Sequence, residues 1–215
     1  MRVTPDYYDE DYYERGIETG KSRYQNYRWC PDLTIPMVMT MIDYLDIKPE
    51  HLILDFGTAK GYVVKAFRML RRQAWGVDYS QYAIDNVDPS IKSFCALATI
   101  PLSSGILIPH HFDLCIAKDV LEHNEKEILE QILMEMPAER VFSVIPIGYN
   151  GKYIAPANDL DPSHVICEGP DWWNRLFHSC NWKLEHFTFR INGIKDAYYI
   201  KYPESHGFFL HRRLK

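Results

Sequence analysis

LILDFGTAKGYVVKAFRMLRRQAWGVD, residues 52–78, is the stretch that decides the fold. Leu52 to Phe56 is an apolar run broken only by Asp55, and it reads as a buried strand entering a glycine turn. "GYVVKAFRMLRR" follows as a helix with Lys65, Arg68 and Arg72 along one face, a pattern expected of a solvated surface. "AWGVD" is a second short strand that ends in an acid. Strand, helix and strand in this order make a βαβ unit, the building block of a parallel sheet.

The same alternation continues outward. Ser80 suits a helix cap over Gln81 to Asn86, with Pro89 beyond it. "FDLCIAKD" (112–119) is a further strand, Ile128 to Met136 a helix, and "RVFSVIP" (140–146) another strand. Upstream, Thr34 and Pro36 suit a helix start, and Val38, Met41, Ile42 and Leu45 form one apolar stripe. Downstream, a Gly/Asn/Pro-rich loop precedes a short helix from Asp171, and "WKLEHFTF" and "GFFLHRR" read as strands, with Tyr198 to Tyr202 extended between them. Strands alternating with helices of this length predict a largely parallel sheet covered on both faces.

In such a sheet, ligands sit beyond the carboxyl ends of the strands, where strand order reverses. The Asp55–Gly61 turn and Asp78 both lie at such ends. Gly57 lets the backbone turn with no side chain against a ligand, and Gly61 lets the helix start close to the strand. Asp78 sits where a carboxylate accepts both hydroxyls of a ribose, so the pair fits a nucleoside-bearing cofactor. A dinucleotide site reads G-x-G-x-x-G, whereas this turn reads D-x-G-x-x-x-G. Asp55 would repel a pyrophosphate and suits the ammonium group of S-adenosylmethionine.

These residues resemble the class I methyltransferases whose members read D-x-G-x-x-x-G, then G-V-D-x-S, then a strand leading into L-E-H. The chain has "DFGTAKG", "GVDYS" and "DVLEH" in that order, and the resemblance covers about residues 50–145. "DPSH" (161–164) is similar to a D-P-T-H stretch in members that act on small hydroxylated molecules. The resemblance implies an α/β, doubly wound, mostly parallel seven-stranded sheet (a Rossmann-like methyltransferase fold) whose last strand is antiparallel. It also implies S-adenosyl-L-methionine as cofactor, held by Asp55, Gly57, Thr58, Gly61, Asp78, Tyr79, Ala96, Leu97 and Lys118. Two positions depart from the pattern. Ala59 stands where many members carry a mid-turn glycine, and "CALATIPL" lacks the acid that often accepts the adenine amino group, leaving adenine to backbone groups and apolar walls.

Methyl transfer from a sulfonium is a direct displacement, so the protein chiefly aligns the reacting atoms and removes a proton from a hydroxyl nucleophile. The candidate bases are His164, in the loop expected over the pocket, and His123, with Asp119 beside the cofactor to steer either. No metal site is expected: His110, His111 and Asp113 cluster before a strand, but adjacent imidazoles point apart. The five scattered cysteines lack C-x-x-C spacing and read as reduced thiols.

Residues 1–33 carry six tyrosines, Trp29 and several acids without a sustained period, and read as an aromatic cap segment. Its rings could line a ligand pocket or simply pin an N-terminal arm. Residues 34–215 form the methyltransferase domain, with 147–170 as a loop over the active site. A net charge of −5 gives no global attraction for nucleic acid or an anionic membrane. The N-terminus has no secretory pattern, and no apolar run approaches the roughly 18 residues of a membrane span, so a cytoplasmic protein with a small-molecule substrate is expected. O-methylation of a sugar or metabolite leads the functional reading. Methylation of nucleic acid or protein, and an inactive binding module, are the alternatives; oligomeric state is left open.

Overall fold

The computed structural model describes residues 4–98, 109 and 111–214. Two short helices open the chain, α1 (Glu10–Glu14) and α2 (Gly16–Thr19), the first capped by Asp9, whose carboxylate accepts the Tyr12 N–H. Then come α3 (Pro31–Tyr44), β1 (Leu52–Phe56), α4 (Tyr62–Met69), β2 (Gln73–Asp78), α5 (Gln81–Asp85), β3 (Cys95–Leu97) and β4 (Phe112–Lys118). The second half holds α6 (Lys126–Glu135), β5 (Ala138–Pro146), a small hairpin of β6 (Gly148–Tyr149) and β7 (Lys152–Tyr153), α7 (Pro170–Ser179), β8 (Trp182–Thr188), α8 (Asp196–Lys201) and β9 (His206–Arg213).

Seven strands form one sheet in the order β3, β2, β1, β4, β5, β9, β8. The neighbours from β3 to β5 pair in parallel, and β9 runs antiparallel to both β5 and β8. Successive side chains on a strand face opposite sides. Ile53, Leu114, Ile116, Phe142 and Val144 accordingly pack with Val38 and Met41 of α3 and with Val64 and Phe67 of α4. Leu54, Phe56, Cys115, Ala117, Val141 and Ile145 pack the other way, onto Leu129, Ile132 and Leu133 of α6 and Trp173 and Phe177 of α7. Both faces are thus covered, which is why the central strands read as continuous apolar runs. The Trp182 indole N–H donates to the Leu133 carbonyl at 2.9 Å and ties β8 to α6. No helix among the described residues is long and apolar enough to cross a membrane.

Several expectations shift. α3 begins at Pro31 rather than Thr34, because Pro31 takes the first helical position and Pro36 is carried inside the helix. Tyr198 to Tyr202 is not extended: α8 occupies Asp196–Lys201, and Arg190 and Lys195 lie over the faces of Tyr199 and Tyr198. β3 is three residues long, too short to leave a period in the sequence. The basic face of α4 is not simply solvated. Arg68 stacks over Phe94 at 3.2 Å and its guanidinium donates to the Ala74 carbonyl, while Lys65 pairs with Asp88. All five cysteines are free. His110 and the segment 99–108, which contains part of "CALATIPL", lie outside the described residues.

The C-terminal "HRRLK" likewise contains a buried group. His211 stacks flat on Phe177 at 3.9 Å, and neither ring nitrogen has a hydrogen-bond partner among the described residues. Burial pushes its pKa down to about 3, so the folded protein keeps it neutral while the unfolded chain protonates it near 6.5. Below pH 6.5 the unfolded state binds a proton that the fold refuses, and stability falls by about 1.4 kcal/mol per pH unit until the folded pKa is approached. We expect His211→Phe to narrow this loss. In thermal melts its advantage over wild type should grow by about 2 kcal/mol between pH 8 and pH 5. A constant difference across that range would mean that the ring is not neutral and buried.

Candidate active site

The order of the sheet reverses between β1 and β4, and a cavity of about 380 Å³ opens at the carboxyl ends of the strands there. Gly57 and Ala59 after β1, Asp78 and Tyr79 at the end of β2, and Asp119 and Val120 after β4 line its floor. Tyr8, Tyr12, Tyr13 and Tyr24 of the N-terminal segment line another wall. A concave, mostly apolar space with a few convergent polar groups is the usual form of a small-molecule site.

The turn after β1 owes its shape to left-handed backbone at Gly57 (φ 77°), Ala59 (φ 50°) and Gly61 (φ 78°). Gly57 is required twice over, since a Cβ there would stand 2.4 Å from Val120 Cγ2. Ala59 occupies the same region with a Cβ, at a cost of about 1–2 kcal/mol. Its N–H donates to Asp78 Oδ2 at 2.7 Å, and the Ser80 N–H donates to Asp78 Oδ1 at 2.8 Å, fixing the carboxylate at the cavity wall. Burial pushes the Asp78 carboxyl up, against these backbone donors, which favour the anion.

The other predicted cofactor residues stand one layer back. Asp55 is buried; its Oδ2 accepts the Thr58 hydroxyl at 2.6 Å, and burial pushes its carboxyl up to about 7 against the pull of Thr58 and Lys118. Gly61 caps the start of α4 against Ile91, Ala96 is buried in β3, and Leu97 packs with the α3/α4 core. Lys118 pairs with Asp119 at 2.6 Å, and Lys195 reaches the same carboxylate oxygen at 2.6 Å. Burial opposes ionisation of Asp119, but the two lysines outweigh it and hold its carboxyl well below the usual range. Lys195 gave no sequence signal: it arrives from the loop before α8, where its own φ is 61°.

His123 lines the cavity, whereas His164 lies behind it, ring centroids 4.7 Å apart. Burial and the neighbouring imidazole push His123 down to about 4. Burial likewise lowers His164. Beneath both lies Glu122, fully buried, its backbone carbonyl accepting the N–H groups of Val165 and Ile166 and so locking the loop to the "DVLEH" turn. Sequence reasoning singled out both histidines and passed over Glu122, which carries no pattern beyond the motif itself.

The N-terminal segment is anchored as well as lining the cavity. Ser80 donates its hydroxyl to the Tyr8 carbonyl, Lys60 pairs with Glu14 and donates to the Tyr27 carbonyl, and Tyr13 stacks on Tyr82 at 6.0 Å. The tyrosines of the segment thus line the cavity while the segment is pinned to the sheet domain.

No family model and no curated protein matches the sequence. Solved structures do match. The pyocyanin biosynthetic protein PhzM aligns over 85% of this chain with a TM-score of 0.57 and 11% identity, the chain spanning 55% of that protein's length. The Burkholderia thailandensis 1,6-didemethyltoxoflavin-N1-methyltransferase, solved with 1,6-didemethyltoxoflavin and S-adenosylhomocysteine, aligns over 94% of this chain and 82% of its own, with a TM-score of 0.59 and 12% identity. The cyclase SpnF aligns over 91% and 86%, with a TM-score of 0.60 and 11% identity. Taken with the strand order and the antiparallel last strand, these likenesses give this chain the fold of the class I S-adenosylmethionine-dependent methyltransferases.

Proposed function

We propose that the chain transfers the methyl group of S-adenosylmethionine to a small hydroxylated molecule such as a sugar or metabolite. The observation that carries this reading is the position of Asp78: a carboxylate fixed by two backbone N–H groups, with lone pairs left for a ribose, beside a glycine that leaves the floor open. Asp55, buried below the turn with its carboxyl pushed up to about 7, would be drawn toward the anionic form by an ammonium group bound above it. Gly57 and Tyr79 line the cavity for the methionine and ribose ends, with Thr58 and Gly61 supporting the turn and Ala96 and Leu97 the apolar layer behind it. A fold alone does not fix an activity, as the cyclase among its likenesses illustrates. The donor assignment therefore rests on these residues.

The acceptor class rests on the tyrosines. Four tyrosines around a cavity of about 380 Å³ suit a compact, largely apolar-faced molecule. Removing the proton of an acceptor hydroxyl falls to the group around His123, the histidine at the cavity wall, with His164 behind it and Asp119 held anionic by its lysines. The test is calorimetry with S-adenosylmethionine followed by acceptor pools scored for release of S-adenosylhomocysteine. We expect micromolar binding and release with hydroxylated metabolites. No heat of binding overturns the donor, and release with RNA or protein pools in place of metabolites overturns the acceptor class.

A further inference from the structure

The Glu122 carboxylate is the least explained group in the molecule. Its side chain is 1% exposed, and neither oxygen has a hydrogen-bond partner among the described residues. An isolated buried carboxylate costs several kcal/mol unless a proton or cation joins it. Two imidazoles face it. His123 Nε2 stands 4.0 Å and His164 Nε2 3.9 Å from Glu122 Oε1, too far for a direct hydrogen bond.

The far side of each ring explains what the near side offers. His164 Nδ1 lies 2.9 Å from the Asn158 carbonyl oxygen, which can only accept, so Nδ1 carries the hydrogen and Nε2 a lone pair. His123 Nδ1 lies 2.8 Å from Ser163 Oγ, whose own hydroxyl donates to Asp161 Oδ1 at 2.5 Å, so again Nδ1 donates and Nε2 is left with its lone pair. Metal-binding histidines are held in this way, with the outer nitrogen donating to a carbonyl or to a carboxylate-linked group. Three donor atoms, one from each residue, lie within 4.8 Å of one another. A tetrahedral ion with bonds of about 2.0–2.1 Å places its ligands about 3.4 Å apart, so the Glu122 contacts need to close by only about half an ångström.

We propose that Glu122, His123 and His164 form a binding site for a divalent transition-metal ion, zinc in the first instance, set in the wall of the cavity. Two imidazoles and one carboxylate are a donor set that zinc accepts while keeping a fourth position open, and of the three residues His123 lines the cavity. The "LEH" and "DPSH" segments would then be the two halves of one site, brought together by the backbone bonds from Val165 and Ile166 to Glu122. A role in catalysis rests on the methyl-transfer reading above. There the ion, when bound, would lower the pKa of an acceptor hydroxyl and so take over proton removal from His123, whose Nε2 would hold the ion, while the methyl carbon passes from sulfur to the acceptor oxygen and the C–S electron pair stays on sulfur.

The site itself is tested without donor or acceptor. The full chain is stripped with a chelator, titrated with zinc in competition with a chromogenic chelator, and melted with and without the ion; cobalt(II) supplies a visible spectrum that reports tetrahedral N/O ligation. We expect one ion per chain, and a rise in melting temperature of about 5–10 °C at a hundredfold excess over Kd. His164→Gln should weaken binding at least tenfold, and Ser163→Ala, which removes the link from the outer nitrogen of His123 to Asp161, by about 10–100-fold. Glu122→Gln should lose the response to zinc. Should that variant fail to fold, His164→Gln and the cobalt spectrum carry the test. No retained ion, or equal zinc responses in wild type and His164→Gln, overturns the proposal. Calorimetry with S-adenosylmethionine on the same stripped protein shows separately whether the donor reading stands.

Discussion

Asp78→Ala is expected to weaken S-adenosylmethionine binding by about 100-fold or more. Each hydrogen bond from a hydroxyl to a charged acceptor contributes about 1.5–3 kcal/mol, and a ribose diol makes two of them with this carboxylate. The substitution also strands the Ala59 and Ser80 N–H groups, which now donate to Asp78, at a cost of about 1–3 kcal/mol in stability. The two effects separate in a paired measurement: calorimetry reads affinity, and a thermal melt reads the fold. Asp78→Asn keeps an acceptor for one of the donors and should fall between. Binding heats equal to wild type in Asp78→Ala would remove this residue from the cofactor site.

Gly57→Ala is expected to cause the second large effect, on the fold as well as the site. The added Cβ would stand 2.4 Å from Val120 Cγ2, on a residue whose φ is 77°. Overpacking of this kind costs about 1–3 kcal/mol and the left-handed backbone about 1–2 kcal/mol more. For a chain of this size, 2–5 kcal/mol lowers the melting temperature by roughly 5–15 °C. Gly57→Ala combined with Val120→Ala removes the Cγ2 clash but keeps the Val120 Cβ at 2.8 Å and the backbone strain, so it should recover only a minor part of the loss. A wild-type melting temperature for the single variant would show that Val120 does not press on the turn.

The parts of the site that lie within one βαβ unit were legible because their geometry is local. A strand that ends at Phe56, a turn that needs glycine at positions 57 and 61, and a strand that ends at Asp78 put those groups on one edge whatever surrounds them. The structure brings the "DVLEH" and "DPSH" segments, both singled out as motifs, into contact. The motif reading assigned the histidines by analogy with single bases, because sequence cannot show that His123 and His164 face one carboxylate. Their shared partner, Glu122, becomes visible only when the loop folds back onto the turn. Lys195 was missed for the same reason, and the basic residues of α4 were misjudged because their partners, Phe94 and Asp88, lie on the segment after α5.

By itself, then, the sequence determined the layer order of this protein and the floor of its cavity: periodicity sets which face of each element is buried, and glycines and acids at strand ends set where a nucleoside can sit. The tertiary structure alone decided what stands above and behind that floor. Four tyrosines came to line the cavity because Lys60, Ser80 and Tyr82 anchor the arm that carries them, and Glu122 came to face two histidines, without a hydrogen-bond partner among the described residues, because long-range packing buried it there. Such groupings depend on contacts between segments far apart in the chain, and no local period or spacing encodes them.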